Sequence, residues 1–162
     1  MERTADIVVI GAGPGGLSAA ATLALHGRDV LVVSDGHLMG YGIEGAFKSK
    51  ASFEIARLFA HATMRRDLFE ISSAPSFGAV KQGIERAAKD LGTGIQTRLD
   101  RLGVALVKGR GHFIDPNTIC VGADTIRANT IVVATGTVPR VLPGVTVDGQ
   151  RVMTSDEIVR RT

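Results

Sequence analysis

Apolar residues recur in two rhythms along this chain: short unbroken runs, and longer stretches spaced by three or four. The unbroken runs read as strands buried on both faces, the kind that fill a parallel sheet. They are Ile7-Val8-Val9-Ile10 within 6–10, Val30-Leu31-Val32-Val33 within 29–33, Val104 to Val107, and Thr130-Ile131-Val132-Val133-Ala134. The spaced stretches read as helices with one apolar face. The first covers 14–26, with Gly27 placed to close it. A second begins near Lys48 and carries Ala51, Ile55, Leu58, Phe59 and Ala62. A third has Ser76 as its N-cap and repeats Phe77, Val80, Ile84, Ala87, Leu91, Ile95, Leu99 and Leu102 until Gly103 ends it. Gly92 and Gly94 weaken its middle by about 1 kcal/mol each relative to alanine.

Between these elements, 34–45 reads as a glycine-rich loop and 67–75 as irregular chain. Residues 109–127 suit a small antiparallel meander broken at Asp115-Pro116-Asn117. Pro139 and Pro143 force an extended segment. Strands alternating with helices predict an α/β fold. The expected fold is a Rossmann-like, mainly parallel sheet with helices on both faces and a small antiparallel meander, in one domain over 1–162.

Composition narrows the function. Hydrophobic residues make up 44% and charged residues 22% of 162, as in an ordinary globular domain. No apolar run approaches the ~20 residues of a membrane span. Residues 1–6 lack the basic and apolar regions of a signal peptide, so the expected location is cytoplasmic. The net charge of +3 is spread along the chain without a basic stripe and interleaved aromatics, which argues against nucleic acid as a partner. Cys120 is the only cysteine, so no intrachain disulfide can form. His26, His37, His61 and His112 are scattered, and no metal site is expected.

The candidate chemistry lies where the first strand meets the first helix. Gly11-Ala12-Gly13-Pro14-Gly15-Gly16 follows an apolar run and precedes an alanine-rich one. This is the context a G-x-G-x-x-G motif needs to signify dinucleotide binding. Gly11 allows the sharp turn, Gly13 lets a pyrophosphate approach the backbone, and Gly16 allows close helix–strand packing. The helix N-terminus then offers N–H groups and the positive dipole end to phosphate.

Three segments in order resemble the pyridine-nucleotide-disulfide oxidoreductases, dihydrolipoamide dehydrogenase among them. They are Gly11 to Gly16, Lys48-Ser49-Lys50 where that family has Pro-Ser-Lys, and Ile131 to Arg140, similar to its Ala-Thr-Gly segment. Gly109-Arg110-Gly111-His112-Phe113 with Asp115-Pro116, and Thr154-Ser155-Asp156, add weaker matches. The resemblance implies FAD as the cofactor, with its pyrophosphate on Gly11, Gly13, Pro14, Gly15 and Gly16. It implies that Ala134, Thr135 and Gly136 turn against the pyrophosphate or adenosine, that Gly111 and His112 meet the adenine through backbone, and that Gly40 lies in the cofactor site. Lys50 resembles the lysine whose ammonium tunes the flavin near N5 and O4, with Glu54 as its helix partner four residues on. The bland alternative is a solvated lysine.

Three departures redirect the expectation. Counting back from Lys50, the family's two redox cysteines fall on Tyr41 and Ala46, so the dithiol step is lost. Tyr41 fills the space of the first cysteine or stacks near flavin; Cys120 reads as a small buried residue. The glutamate that usually bonds the adenosine ribose is replaced by Ser34, followed by Asp35, the better charged acceptor. The NAD(P)H and interface domains are not in this sequence. The expected function is the FAD-binding part of an NAD(P)H-linked oxidoreductase without dithiol chemistry. A complementary polypeptide would carry the other domains in a hetero-oligomer, or the sequence is a fragment. The alternatives are a scaffold subunit, holding FAD or empty, and an NAD-binding Rossmann protein without flavin.

Overall fold

A computed structural model describes residues 2–36, 38–71 and 73–157. Its strands form a six-stranded sheet in the order β3-β2-β1-β6-β5-β4. The elements are β1 Glu2–Ile10, α1 Pro14–Leu25, β2 Val30–Ser34, α2 Lys48–Met64, α3 Phe77–Arg101, β3 Ala105–Lys108, β4 Gly111–Asp115, β5 Thr118–Val121 and β6 Asp124–Val133. β1 pairs parallel with β2 and β6, and β2 with β3; β4, β5 and β6 pair antiparallel. The fold is the Rossmann-like, mostly parallel α/β class with flanking helices and a small antiparallel region that the apolar runs predict.

Side chains alternate across a strand, so each central strand feeds two cores. Ile7, Val9, Val30 and Val32 join Leu17 and Ala20 of α1, and Leu99 and Val104 at the end of α3. Val8, Ile10, Leu31 and Val33 join Ile119, Val121, Ile126 and Ala128 of the antiparallel strands.

The chain divides into two compact units. The sheet belongs to the first, Met1–Gly40 with Gly92–Val138; the second comprises Tyr41–Leu91 with Pro139–Thr162. In the second unit α2 has no buried residue, and Phe53, Leu58 and Met64 are exposed.

Both helix ends expected at glycines are there. Gly27 has φ +75° and Gly103 φ +70°. After α1, Gly27 N–H donates to Ala24 C=O at 2.9 Å and Arg28 N–H to Leu23 C=O at 3.2 Å. After α3, Gly103 N–H donates to Asp100 C=O at 3.1 Å and Val104 N–H to Leu99 C=O at 3.0 Å. These paired bonds satisfy carbonyls that a helix end leaves open. Ser76 caps α3 by accepting the Ala79 N–H at 3.1 Å. α3 runs unbroken through Gly92 and Gly94.

Three boundaries differ from the sequence reading. β1 begins at Glu2 rather than at residue 6, because Glu2 to Ala5 pair in register with Thr125 to Ala128. β6 is a single strand from Asp124 to Val133, so the last meander strand and the last parallel strand are one. Its polar interruption, Arg127 and Asn129, alternates outward while Ile126 and Ala128 turn inward. Finally, the end of the supposed loop is helical: Gly42–Phe47 forms a π-helical segment leading into α2. A glycine-rich composition hid that turn, although Glu44 and Lys48 carry the i,i+4 spacing of a helix pair and bond at 2.9 Å.

Candidate dinucleotide site

Parallel strands β1, β2, β3 and β6 all end on the same edge of the sheet. The sheet order places β2 on one side of β1 and β6 on the other. In open α/β sheets, ligands bind beyond the strand ends where the order reverses. Here that point falls between the ends of β1 and β6, at Gly11 and Ala134.

The backbone is tightly tied there. Gly11 N–H donates to Val33 C=O and Ala134 N–H to Ile10 C=O, each at 2.8 Å. Gly11 has φ +112°, and a β-carbon on it would overlap the Ala134 carbonyl. A β-carbon on Gly16 would overlap the Gly11 carbonyl. Gly13 differs: nothing lies within 4 Å of where its β-carbon would be. It is the extended N-cap of α1, with Pro14 next and no acidic side chain in the first turn. Leu17 N–H closes the first helical bond to Gly13 C=O at 2.9 Å. The Gly15 and Gly16 amides precede that bond, where no intrahelical acceptor exists, and among the described residues no side chain caps them. The turn thus combines open space, unclaimed donors and the positive end of a 12-residue helix. These residues fit a pyrophosphate.

Other residues singled out in the sequence gather at this edge. Ser34 ends β2; its carbonyl accepts the Gly109 N–H at 2.8 Å and its Oγ accepts the Gly36 N–H at 3.3 Å. Asp35 is exposed just beyond it. Gly111 lies over the strand ends: a β-carbon there would contact Ile119, Val33 and Ile10 at 3.5–3.7 Å. By alternation, the next residue, His112, turns away from that core. It is exposed and stands opposite Cys120, which is half-buried. Thr135 and Gly136 follow Ala134 and are exposed, with Gly136 at φ +75°.

The segment before Gly40 supplies a residue the sequence did not reveal. Met39 has φ +67°, the one positive φ at a non-glycine among the described residues. That conformation costs roughly 1–2 kcal/mol in an L-residue. Met39 and Leu38 pack against the core of α1 and β1, and Met39 N–H donates to Ala12 C=O at 2.7 Å. No local composition signals a left-handed methionine. Gly40, at φ +42°, completes the turn.

Lys50 belongs to the second unit and is exposed on α2. Glu54 is not its partner. Glu54 is held by Arg57, with Nε to Oε2 at 2.9 Å and Nη2 to Oε1 at 2.6 Å. A guanidinium fork at i+3 meets a carboxylate with two parallel bonds, which an ammonium at i−4 does not match. Two residues earlier, Lys48 Nζ lies 2.9 Å from both Glu44 Oε2 and Glu85 Oε1. The ring of Tyr41 lies over Gly45, where a β-carbon would overlap it. His37 lies outside the described residues. Among those described, no three His, Cys, Asp or Glu are grouped to hold a metal, and no helix is long and apolar enough to cross a membrane.

The sequence profile of the pyridine nucleotide-disulphide oxidoreductase family matches residues 5–162, and the chain belongs to that family. It is 35% identical, over 97% of its length, to the soluble pyridine nucleotide transhydrogenase of Mycobacterium bovis (strain BCG / Pasteur 1173P2), and covers 36% of that protein. It is 33% identical to the enzyme of the same name from Hahella chejuensis, over 98% of this chain and 36% of the relative. The mitochondrial dihydrolipoyl dehydrogenase of Schizosaccharomyces pombe is 32% identical over 93% of the chain, which spans 32% of it. The chain thus spans about a third of the relatives it matches, and it carries a single cysteine.

Proposed function

We propose that this chain holds FAD, with the pyrophosphate on the Gly11–Gly16 turn, as the flavin-binding part of an NAD(P)H-linked oxidoreductase. The observation that carries the reading is the turn itself. Gly11 closes on Ala134 at the strand-order reversal, and Gly13 faces open space beside unclaimed amides of α1. Gly11, Gly13, Pro14, Gly15 and Gly16 hold the two phosphates. Ser34 and Asp35 face the adenosine ribose, Gly111 the adenine, and Gly40, Ala134, Thr135 and Gly136 line the cofactor. Lys50 tunes the flavin, an assignment supported by the family's Pro-Ser-Lys pattern. Bound FAD would supply two-electron exchange between a nicotinamide and an acceptor. Tyr41 and Ala46 replace the family's cysteines, so the acceptor is not a protein dithiol of this chain.

The complete enzyme needs further domains, supplied by a complementary chain or by the rest of a longer one. The extent of the relatives supports this, as does β6. Along Thr130 to Val133, β6 pairs with β1 on one side, while β5 reaches only Asp124 to Arg127 on the other. Val133 is 61% exposed there. An open parallel-sheet edge with an exposed valine suits a further strand.

The test is a visible spectrum of the gently purified chain, then titration of the flavin-free chain with FAD and with NAD. Saturable FAD binding with a flavin absorption band is the expected result. Binding of NAD in preference to FAD would sink the flavin assignment. Flavin that neither NADH nor NADPH reduces, with the complementary domains present, would leave a cofactor-holding scaffold instead of an enzyme.

A further inference from the structure

We infer that Met39 is a positioning residue for the glycine turn, holding the Ala12–Gly13 peptide so that the Gly13 N–H faces the cofactor phosphates. The inference rests on the dinucleotide reading of that turn. A trans peptide points its C=O and N–H in opposite directions, and the chain has no cis bond among its described residues. The Ala12 carbonyl is fixed by the Met39 N–H at 2.7 Å. The Gly13 N–H, on the far side of that peptide plane, is therefore aimed away from Met39. Nothing lies within 4 Å of where a β-carbon on Gly13 would sit. A loose peptide would flip and present a carbonyl to an anion. The clamp removes that alternative before any ligand arrives.

The cost of the clamp is visible in the backbone. Met39 makes the bond to Ala12 while its own backbone is in the left-handed region, at φ +67°. Strained residues persist where the surroundings over-determine them, and here two constraints do. One is the hydrogen bond to Ala12; the other is the packing of Leu38 and Met39 on the core of Ala12 and Leu17. Glycine would adopt this φ without strain and keep the N–H. Proline would have neither the N–H nor the φ.

Amide hydrogen exchange and two substitutions test the clamp. In the ligand-free chain the Met39 amide should exchange about a hundredfold more slowly than the exposed Asp35 amide. Met39→Gly should keep that protection and hold FAD and ADP affinity within about twofold, the relief of strain offsetting the packing that the side chain loses. Met39→Pro should weaken both ligands about tenfold and abolish the ADP-induced shift of the Gly13 amide resonance. A Met39 amide as fast as that of Asp35, or a folded Met39→Pro chain binding ADP normally, overturns the proposal. If Met39→Pro does not fold, exchange in the natural chain and in Met39→Gly decides it. Should the natural chain bind neither FAD nor ADP while Met39 stays protected, the clamp stands and the dinucleotide reading falls.

Discussion

Gly11 faces the carbonyl of Ala134 with no room for a β-carbon between them. Two strands far apart in sequence thus meet backbone to backbone at the one edge where the strand order turns. Gly16 meets Gly11 in the same way, so three chain segments converge on a volume a single methyl group would disrupt.

The glycines of the turn should therefore respond differently to alanine. Gly11→Ala combines a backbone clash with a strained φ and should lose about 3 kcal/mol or more. Gly16→Ala keeps helical dihedrals but overlaps the Gly11 carbonyl, and should lose about 1–3 kcal/mol. Gly15→Ala meets nothing within 4 Å and sits in the first turn of α1, so it should gain about 0.5–1 kcal/mol. Urea unfolding midpoints of the three variants check this. Equal stability of Gly11→Ala and the natural chain would contradict the close approach.

At the end of β2 the sequence left two candidates for the adenosine ribose. Ser34 is already engaged through its carbonyl by Gly109 and through Oγ by Gly36. Asp35 is exposed and charged. Asp35→Asn should weaken FAD about tenfold, as expected for losing a charge-assisted bond, while Ser34→Ala changes it by less than about threefold. ADP, which has the ribose, should show the same ratio, and FMN, which lacks the adenosine, should show none. Fluorescence titration distinguishes the ligands. A larger loss in Ser34→Ala would return the ribose to the serine.

What the sequence made legible was whatever a local rule encodes. Apolar runs marked the parallel strands, and Gly27 and Gly103 marked helix ends that close with the same pair of bonds. The G-x-G-x-x-G spacing marked the turn. The misses arise where distant partners decide. Glu2 to Ala5 look like a polar terminus until Thr125 to Ala128 pair with them. Glu54 lies at helix spacing from both Lys50 and Arg57, and the guanidinium takes it. Met39 adopts φ +67° where it bonds Ala12 and packs on the core, and nothing near it in the chain announces that.

Asp148 organises a tight loop in the second unit. Its Oδ1 accepts the N–H groups of Gln150 and Arg151 at 2.8 Å and of Val152 at 2.9 Å. The Val152 bond, then those of Gln150 and Arg151, hold the carboxyl below the usual aspartate range. A depressed folded pKa contributes stability that is full above the unfolded value of about 3.9 and is lost as pH falls through the folded one. The amides of 150–152 should therefore lose exchange protection on acidification below about pH 4, and Asp148→Ala should lose it at neutral pH. Following the Asp148 carboxyl carbon by NMR gives the titration directly. A midpoint at the ordinary aspartate value would refute the three-donor account.

Lys48 is the buried member of its two ion pairs. Its side chain is 14% exposed, against 42% for Glu44 and 50% for Glu85. Burial works against the ammonium, but hydrogen bonds and charge from Glu44 and Glu85 outweigh it and raise the pKa above the ordinary lysine value. The two carboxylates are half in water, so losing their partner does not strand them. Lys48→Met should cost about 1–2 kcal/mol, well below the 3–5 kcal/mol of a fully buried broken pair. Because the folded pKa is raised, the stabilisation is complete below the unfolded lysine value of about 10.4 and disappears as pH rises through the folded one. The stability difference between the natural chain and Lys48→Met should thus be flat at neutral pH and shrink only above about pH 10.4. Glu44→Gln and Glu85→Gln should each cost about 0.5–1 kcal/mol alone and almost nothing in the Lys48→Met background. Denaturation of the double-mutant cycle at neutral and alkaline pH measures all three quantities. Full additivity of the losses would mean that the bridge between Gly42–Phe47 and α3 contributes no coupling.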